Sequence, residues 1–93
     1  MKRVIYKYPI HVRACTIDLP TSDFKVVCVR EQNNVPTIWI ELTISDVNLP
    51  LYKPGELGVY IFGTGEEIPA IPDLIYAGTC FTGRNVWHVY TRK

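Results

Sequence analysis

The run Thr37-Ile38-Trp39-Ile40-Glu41-Leu42-Thr43-Ile44 decides the fold class. Ile38, Ile40, Leu42 and Ile44 recur at every second position, and Thr37, Trp39, Glu41 and Thr43 fill the places between them. A period of two is the pleat of a β-strand, whose successive side chains point to opposite faces. The four aliphatic residues therefore face a core. Trp39 falls on the otherwise polar side, where a tryptophan buries well only if another element, a partner or a ligand covers it. A second sheet or a long loop is the ordinary cover for such a face.

The same pattern continues in both directions. Asn33-Asn34 predicts a tight hairpin turn, because Asn tolerates the positive φ such turns require. Before it, Lys25-Val26-Val27-Cys28-Val29-Arg30 is apolar on both faces, which predicts a strand at the centre of a sheet. Val4, Tyr6 and Tyr8 alternate with Arg3, Ile5 and Lys7 in a half-buried strand, which Pro9 confines to an edge or a strand end. A second candidate covers His11 to Leu19 and closes in the turn cluster Pro20-Thr21-Ser22-Asp23.

Beyond Ile44, residues 45–56 form a long connection ending in a Pro-Gly turn. Leu57 to Phe62 is a strand closed by Gly63-Thr64-Gly65. Leu74 to Phe81 is another, followed by the turn Thr82-Gly83-Arg84-Asn85 and a last strand over Val86 to Thr91. No stretch carries a capped helical stripe, and nothing repeats at a fixed period. The expectation is a single all-β domain over residues 1–93, a small antiparallel β-sandwich or partly open barrel of about six to seven strands.

The totals agree with one core: the chain has 93 residues, of which 47% are hydrophobic. A formal charge of +1 supplies no general pull toward nucleic acid or an anionic membrane, so there is no strong nucleic-acid signal. Cys15, Cys28 and Cys80 are widely spaced and odd in number, with no Cys-x-x-Cys. That pattern fits neither a disulfide framework nor a structural zinc site, and it predicts a reducing, intracellular compartment. No run is long and apolar enough for a membrane helix or a signal peptide. Strand edges and a small core favour a homo-oligomer.

Three constellations invite a chemical reading. Gly63, Thr64 and Gly65 could offer backbone N–H groups to a phosphate, since glycine permits close approach. Yet the motif lacks the longer phosphate-loop spacing, and Glu66 and Glu67 oppose an anion unless they point away. A sharp turn at a strand end needs the same glycines. His88 shares a face with Val86 and Tyr90. No Ser-His or Cys-His signature accompanies it, although Cys80 on the preceding strand could lie across the hairpin. A strand histidine more commonly packs or hydrogen-bonds. Arg84, at the tip between the last two strands, is placed for an anionic group.

The opening Met1-Lys2-Arg3-Val4-Ile5-Tyr6-Lys7-Tyr8-Pro9-Ile10 resembles the start of a family of small bacteriophage-encoded proteins of uncharacterised function. The stretch Gln32 to Trp39, Phe62-Gly63-Thr64-Gly65, Ile68-Pro69, Tyr76-Ala77-Gly78-Thr79 and Val86-Trp87-His88-Val89-Tyr90 are similar to that family in order and spacing. Members usually carry Leu where this chain has Ile10, and the segments His11 to Cys15 and 45–56 carry no likeness. The resemblance implies a phage protein acting in the host cytoplasm and brings no catalytic residues.

The resulting expectation is a non-enzymatic host-modulating or anti-defence binding protein with no cofactor and no metal. Its ligand is nucleotide-like and held by Trp39, Gly63, Thr64, Gly65, Arg84 and His88. The rival is an inhibitor of a host protein that works through an aromatic surface or an edge strand, with a minor phage structural role behind it.

Overall fold

The alternating stretches become seven strands in the computed structural model, which describes residues 1–44 and 53–93. They are β1 (Lys2–Pro9), β2 (Ala14–Leu19), β3 (Phe24–Gln32), β4 (Val35–Ile44), β5 (Gly55–Gly63), β6 (Ile75–Thr82) and β7 (Asn85–Arg92). Two antiparallel sheets, ordered β1-β4-β3 and β2-β5-β7-β6, face each other as a sandwich and do not close into a barrel. No helix among the described residues is long and apolar enough to cross a membrane. Of the connection expected over 45–56, residues 45–52 lie outside the described residues, and Gly55 and Glu56 belong to β5 instead, paired with Leu19 and Asp18.

β4 holds the centre of its sheet, and the alternation predicted from it sets the core. Ile38, Ile40 and Leu42 are fully buried and share one cluster with Leu57 and Val59 of β5 and Val89 of β7. Burying each such side chain contributes about 1.5–3 kcal/mol. Asn33 and Asn34 have φ of 53° and 64°, the left-handed pair of a type I′ turn, between the partners Gln32 and Val35.

β2 begins at Ala14 rather than His11, because the preceding residues carry the chain from one sheet to the other. At the start of that link the Ile10 N–H donates to the Pro36 carbonyl at 2.8 Å. At its end the Arg13 carbonyl accepts from the Ile61 N–H, also at 2.8 Å.

The run Lys25–Arg30 corrects the expectation of a central strand: β3 is an edge of the three-stranded sheet. The register shifts between Val26 and Cys28, so one extra residue is inserted there. Val26 and Val29 turn inward, Val27 stays 47% exposed, and Cys28 stands beside Trp39 on the outer face. A bulge, and not burial on both faces, makes the run look uniformly apolar.

A second bulge, between Tyr76 and Gly78, brings β6 against β3. A Cβ on Gly78 would sit 3.0 Å from the Val29 Cβ, tighter than ordinary packing, so the two edges approach this closely with glycine in place and a larger residue would push Val29 back.

Trp39 lies on the outer face of β4, half-buried, with Lys7 and Cys28 as its cross-strand neighbours. Replacing Ile40 by Ala should therefore cost about 2–5 kcal/mol, whereas Trp39→Ala should fall well below the ~3–5 kcal/mol of a core aromatic. Urea unfolding of the two variants measures this directly. A loss for Trp39→Ala as large as that for Ile40→Ala would place the indole in the core.

Candidate functional site

The inward parity of the four-stranded sheet builds the core, so the outward parity of β5, β6 and β7 forms a face of its own. Two rows cross it. Phe62 pairs with His88, which pairs with Thr79. Tyr60 pairs with Tyr90, which pairs with Tyr76. Tyr90 takes edge-to-face contacts from both Phe62, at 5.9 Å between ring centroids, and Tyr76, at 5.6 Å. Phe81 and Tyr76 remain 66% and 55% exposed.

His88 is the polar centre of this face. Its Nε2 lies 2.8 Å from the Thr64 hydroxyl, and its Nδ1 lies 3.0 Å from the Thr79 hydroxyl. Thr79 is joined in turn to the Tyr76 phenol. Three segments distant in sequence thus converge: the Phe62-Gly63-Thr64-Gly65 turn, Tyr76-Ala77-Gly78-Thr79, and Val86-Trp87-His88-Val89-Tyr90. Hydroxyls can donate or accept, so the chain stays satisfied with either neutral tautomer of the imidazole. Both ring nitrogens are engaged by hydroxyls, and among the described residues no carboxylate is hydrogen-bonded to the ring.

Cys80 is not a partner of His88. Counting outward from Thr82 and Asn85 puts Thr79 opposite His88, while Cys80 faces Trp87 on the inner side and is buried. Burial pushes the Cys80 thiol up, with the Glu31 charge adding to it, and burial alone does the same for Cys15. Such thiols are poor nucleophiles.

The glycine turn accepts an anion, but its own. The Glu66 carboxylate folds back so that Oε1 receives the Gly63 N–H at 3.0 Å, and the Glu66 N–H donates to the Gly63 carbonyl at 3.2 Å. A Cβ on Gly63 would lie 2.6 Å from that carboxylate oxygen, so a larger residue here would push the Glu66 side chain aside. Arg13 grips the same carboxylate with Nη1, at 2.7 and 2.5 Å from the two oxygens, and its guanidinium lies 4.7 Å from the centre of the Trp87 ring. The indole N–H of Trp87 donates to the Thr82 hydroxyl at 2.6 Å. This clamp joins three elements at one end of the sandwich.

A cleft of about 400 Å³ opens at that end, with His11, Arg13, Asn34, Asn85 and Trp87 among its walls. Of the expected site residues, Gly63, Thr64, Gly65 and His88 come together directly. Arg84 is exposed on the turn between β6 and β7, at the same end of the sheet, and has no ion pair among the described residues. Trp39 does not join them; it lies on the outer face of the other sheet. Among the described residues no group of His, Cys, Asp and Glu could hold a metal ion.

Sequence reasoning missed Thr79, although the register of the turn at Thr82 and Asn85 would have found it. It also missed Arg13 and the inward fold of Glu66, which no local pattern announces across 53 residues.

The hydrogen bonds from Arg13 hold the Glu66 carboxyl below the usual carboxylate range, and the Gly63 N–H adds to the effect. A depressed folded value means the stabilisation is complete above the unfolded value of about 4.3 and disappears as pH falls through the lower folded value. The gap in urea midpoint between wild type and Glu66→Gln should thus be constant at neutral pH and narrow steadily below about pH 4. A gap that does not change with pH would mean that the charge of Glu66 contributes nothing.

No curated protein and no solved structure matches this chain. Across residues 1–93 it matches the model of the family described as a domain of unknown function (DUF7352), and the chain belongs to that family.

Proposed function

We propose that this protein is a non-enzymatic binding module whose partner is another protein, docked on the outer face of the four-stranded sheet. The observation that supports this reading is the aromatic surface around Tyr90, with Phe81 and Tyr76 more than half exposed beside it. Aromatic residues are enriched at the centres of protein interfaces, where the binding energy concentrates. The donors that a small anionic ligand would need are already occupied: Gly63 N–H and Arg13 by Glu66, and both nitrogens of His88 by threonines. The resemblance to phage-encoded proteins suggests that the partner is a host factor in the infected bacterial cytoplasm, with host modulation or defence inhibition as the outcome. A second copy of the chain is a further occupant of the same kind.

One feature favours a second reading, in which a nucleotide-like ligand lies along the same face. Arg84 has no ion pair among the described residues and stands at the β6–β7 turn, beyond Phe81 and Val86 on the same hairpin, where a phosphate would be neutralised.

Host extract passed over immobilised wild type, Phe81→Asp and Trp39→Ala separates these readings. A specific protein held by wild type and Trp39→Ala but lost with Phe81→Asp is the expected result. Equal capture by wild type and Phe81→Asp would overturn the assignment of this face. A rise in melting temperature with mononucleotides or cyclic nucleotides, abolished by Arg84→Ala, would put the ligand reading first, because a ligand that binds only the folded state must stabilise it.

A further inference from the structure

The three-stranded sheet has an outer face of different chemistry. Four of the chain's ten Lys and Arg residues, Arg3, Lys7, Lys25 and Arg30, lie on its outward parity, interleaved with Trp39. At one end Arg3 and Lys25 both reach Glu41, at 3.5 and 3.3 Å, and Asp23 is close by, so that half is neutralised. At the other end Lys7 is the cross-strand partner of Trp39, and Arg30 is the partner of Thr37, which has the same parity two residues away but is itself buried. Both cations are exposed, and neither has an ion pair among the described residues. Exposed Ile5 and Val27 extend the apolar surface beside the indole.

We propose that this face binds single-stranded nucleic acid, with a base stacked on Trp39 and the flanking phosphates held by Lys7 and Arg30. An aromatic platform with cations to either side is the arrangement that captures a single strand irrespective of sequence. A duplex would offer the cations its phosphates but withhold its bases from the indole. An acidic peptide would satisfy the charge and leave the stacking surface without its natural complement. The formal charge of +1 is a whole-chain total and conceals the local excess: on this face the ion pairs among the described residues go to Glu41, at the end away from Lys7 and Arg30. This assignment concerns the opposite side of the sandwich from the protein-docking face and stands or falls apart from it.

Fluorescence anisotropy with a labelled oligothymidylate of about 16 nucleotides, at the upper end of single-domain site sizes, tests the proposal. Two phosphate contacts predict that log K falls with log salt at a slope of about −1.4. Lys7→Gln with Arg30→Gln, both at exposed positions, should flatten that slope. Trp39→Ala should weaken binding by about tenfold or more, and Trp39→Phe should retain most of it. Circular dichroism and urea unfolding confirm that each variant is folded. No binding of the oligonucleotide at low salt would overturn the proposal, as would equal affinity for the Trp39→Ala protein. Equal affinity for a polyglutamate chain would show that the face reads charge alone, and equal affinity for duplex DNA would show that no base is stacked; either result also overturns it.

Discussion

Everything in this molecule depends on the dry seam where Ile38, Ile40 and Leu42 of β4 meet Leu57 and Val59 of β5 and Val89 of β7. Because the side-chain period of a strand is two, a slip of one residue would turn every one of these positions into water. The seam therefore fixes register in both sheets at once. It also decides, by elimination, what the outside is made of. Inward Ile38 and Ile40 force Trp39 outward; inward Val89 forces His88 and Tyr90 outward; inward Ile61 does the same for Tyr60 and Phe62. The two outer faces are the complement of the core, and their contrast, one aromatic and hydroxyl-rich and the other basic around a single indole, is written in the same alternation.

How much of this was legible in the chain follows from the range of each interaction. The unbroken alternation around Trp39 and the Asn33-Asn34 turn are local, so the strands and one hairpin could be read directly. β3 misled because a bulge changes phase without any marker in composition: Val26-Val27-Cys28-Val29 looks like a strand covered on both faces. The pairing of Thr79 with His88 was implicit in the hairpin turn and needed only counting. The grip of Arg13 on Glu66 was not readable at all, since it depends on the link from Ile10 to Arg13 crossing between the sheets and on a carboxylate folding over its own glycine. Site residues that share a hairpin were recoverable. Those brought together by tertiary crossing were not.

Glu66 clarifies the phosphate-like appearance of the Gly63 turn. A concave run of N–H groups attracts negative charge from whatever source is nearest. Here the nearest source is three residues away, and Arg13 balances its charge while Trp87 shields one side of the guanidinium. The arrangement ties the exit of β5, the entry to β2 and the start of β7 into one corner. Thr64, the next residue after Gly63 in the clamped turn, reaches His88, so the clamp adjoins the aromatic face without being part of it.

The pairing order carries a kinetic consequence. β1 and β2 are made first, yet Lys2 pairs with Ile44 and Ala14 with Tyr60, so neither strand has a partner until much of the chain has followed. The hairpins β3–β4 and β6–β7, closed by two-residue turns, can form as soon as they are synthesised. Long-range pairings require loop closure before they return any stabilisation, and they slow folding. During synthesis the N-terminal strands, with Tyr6, Tyr8 and Ile17 unsatisfied, wait as open edges, and that waiting period is when this chain is most vulnerable to mispairing with its neighbours on the same message.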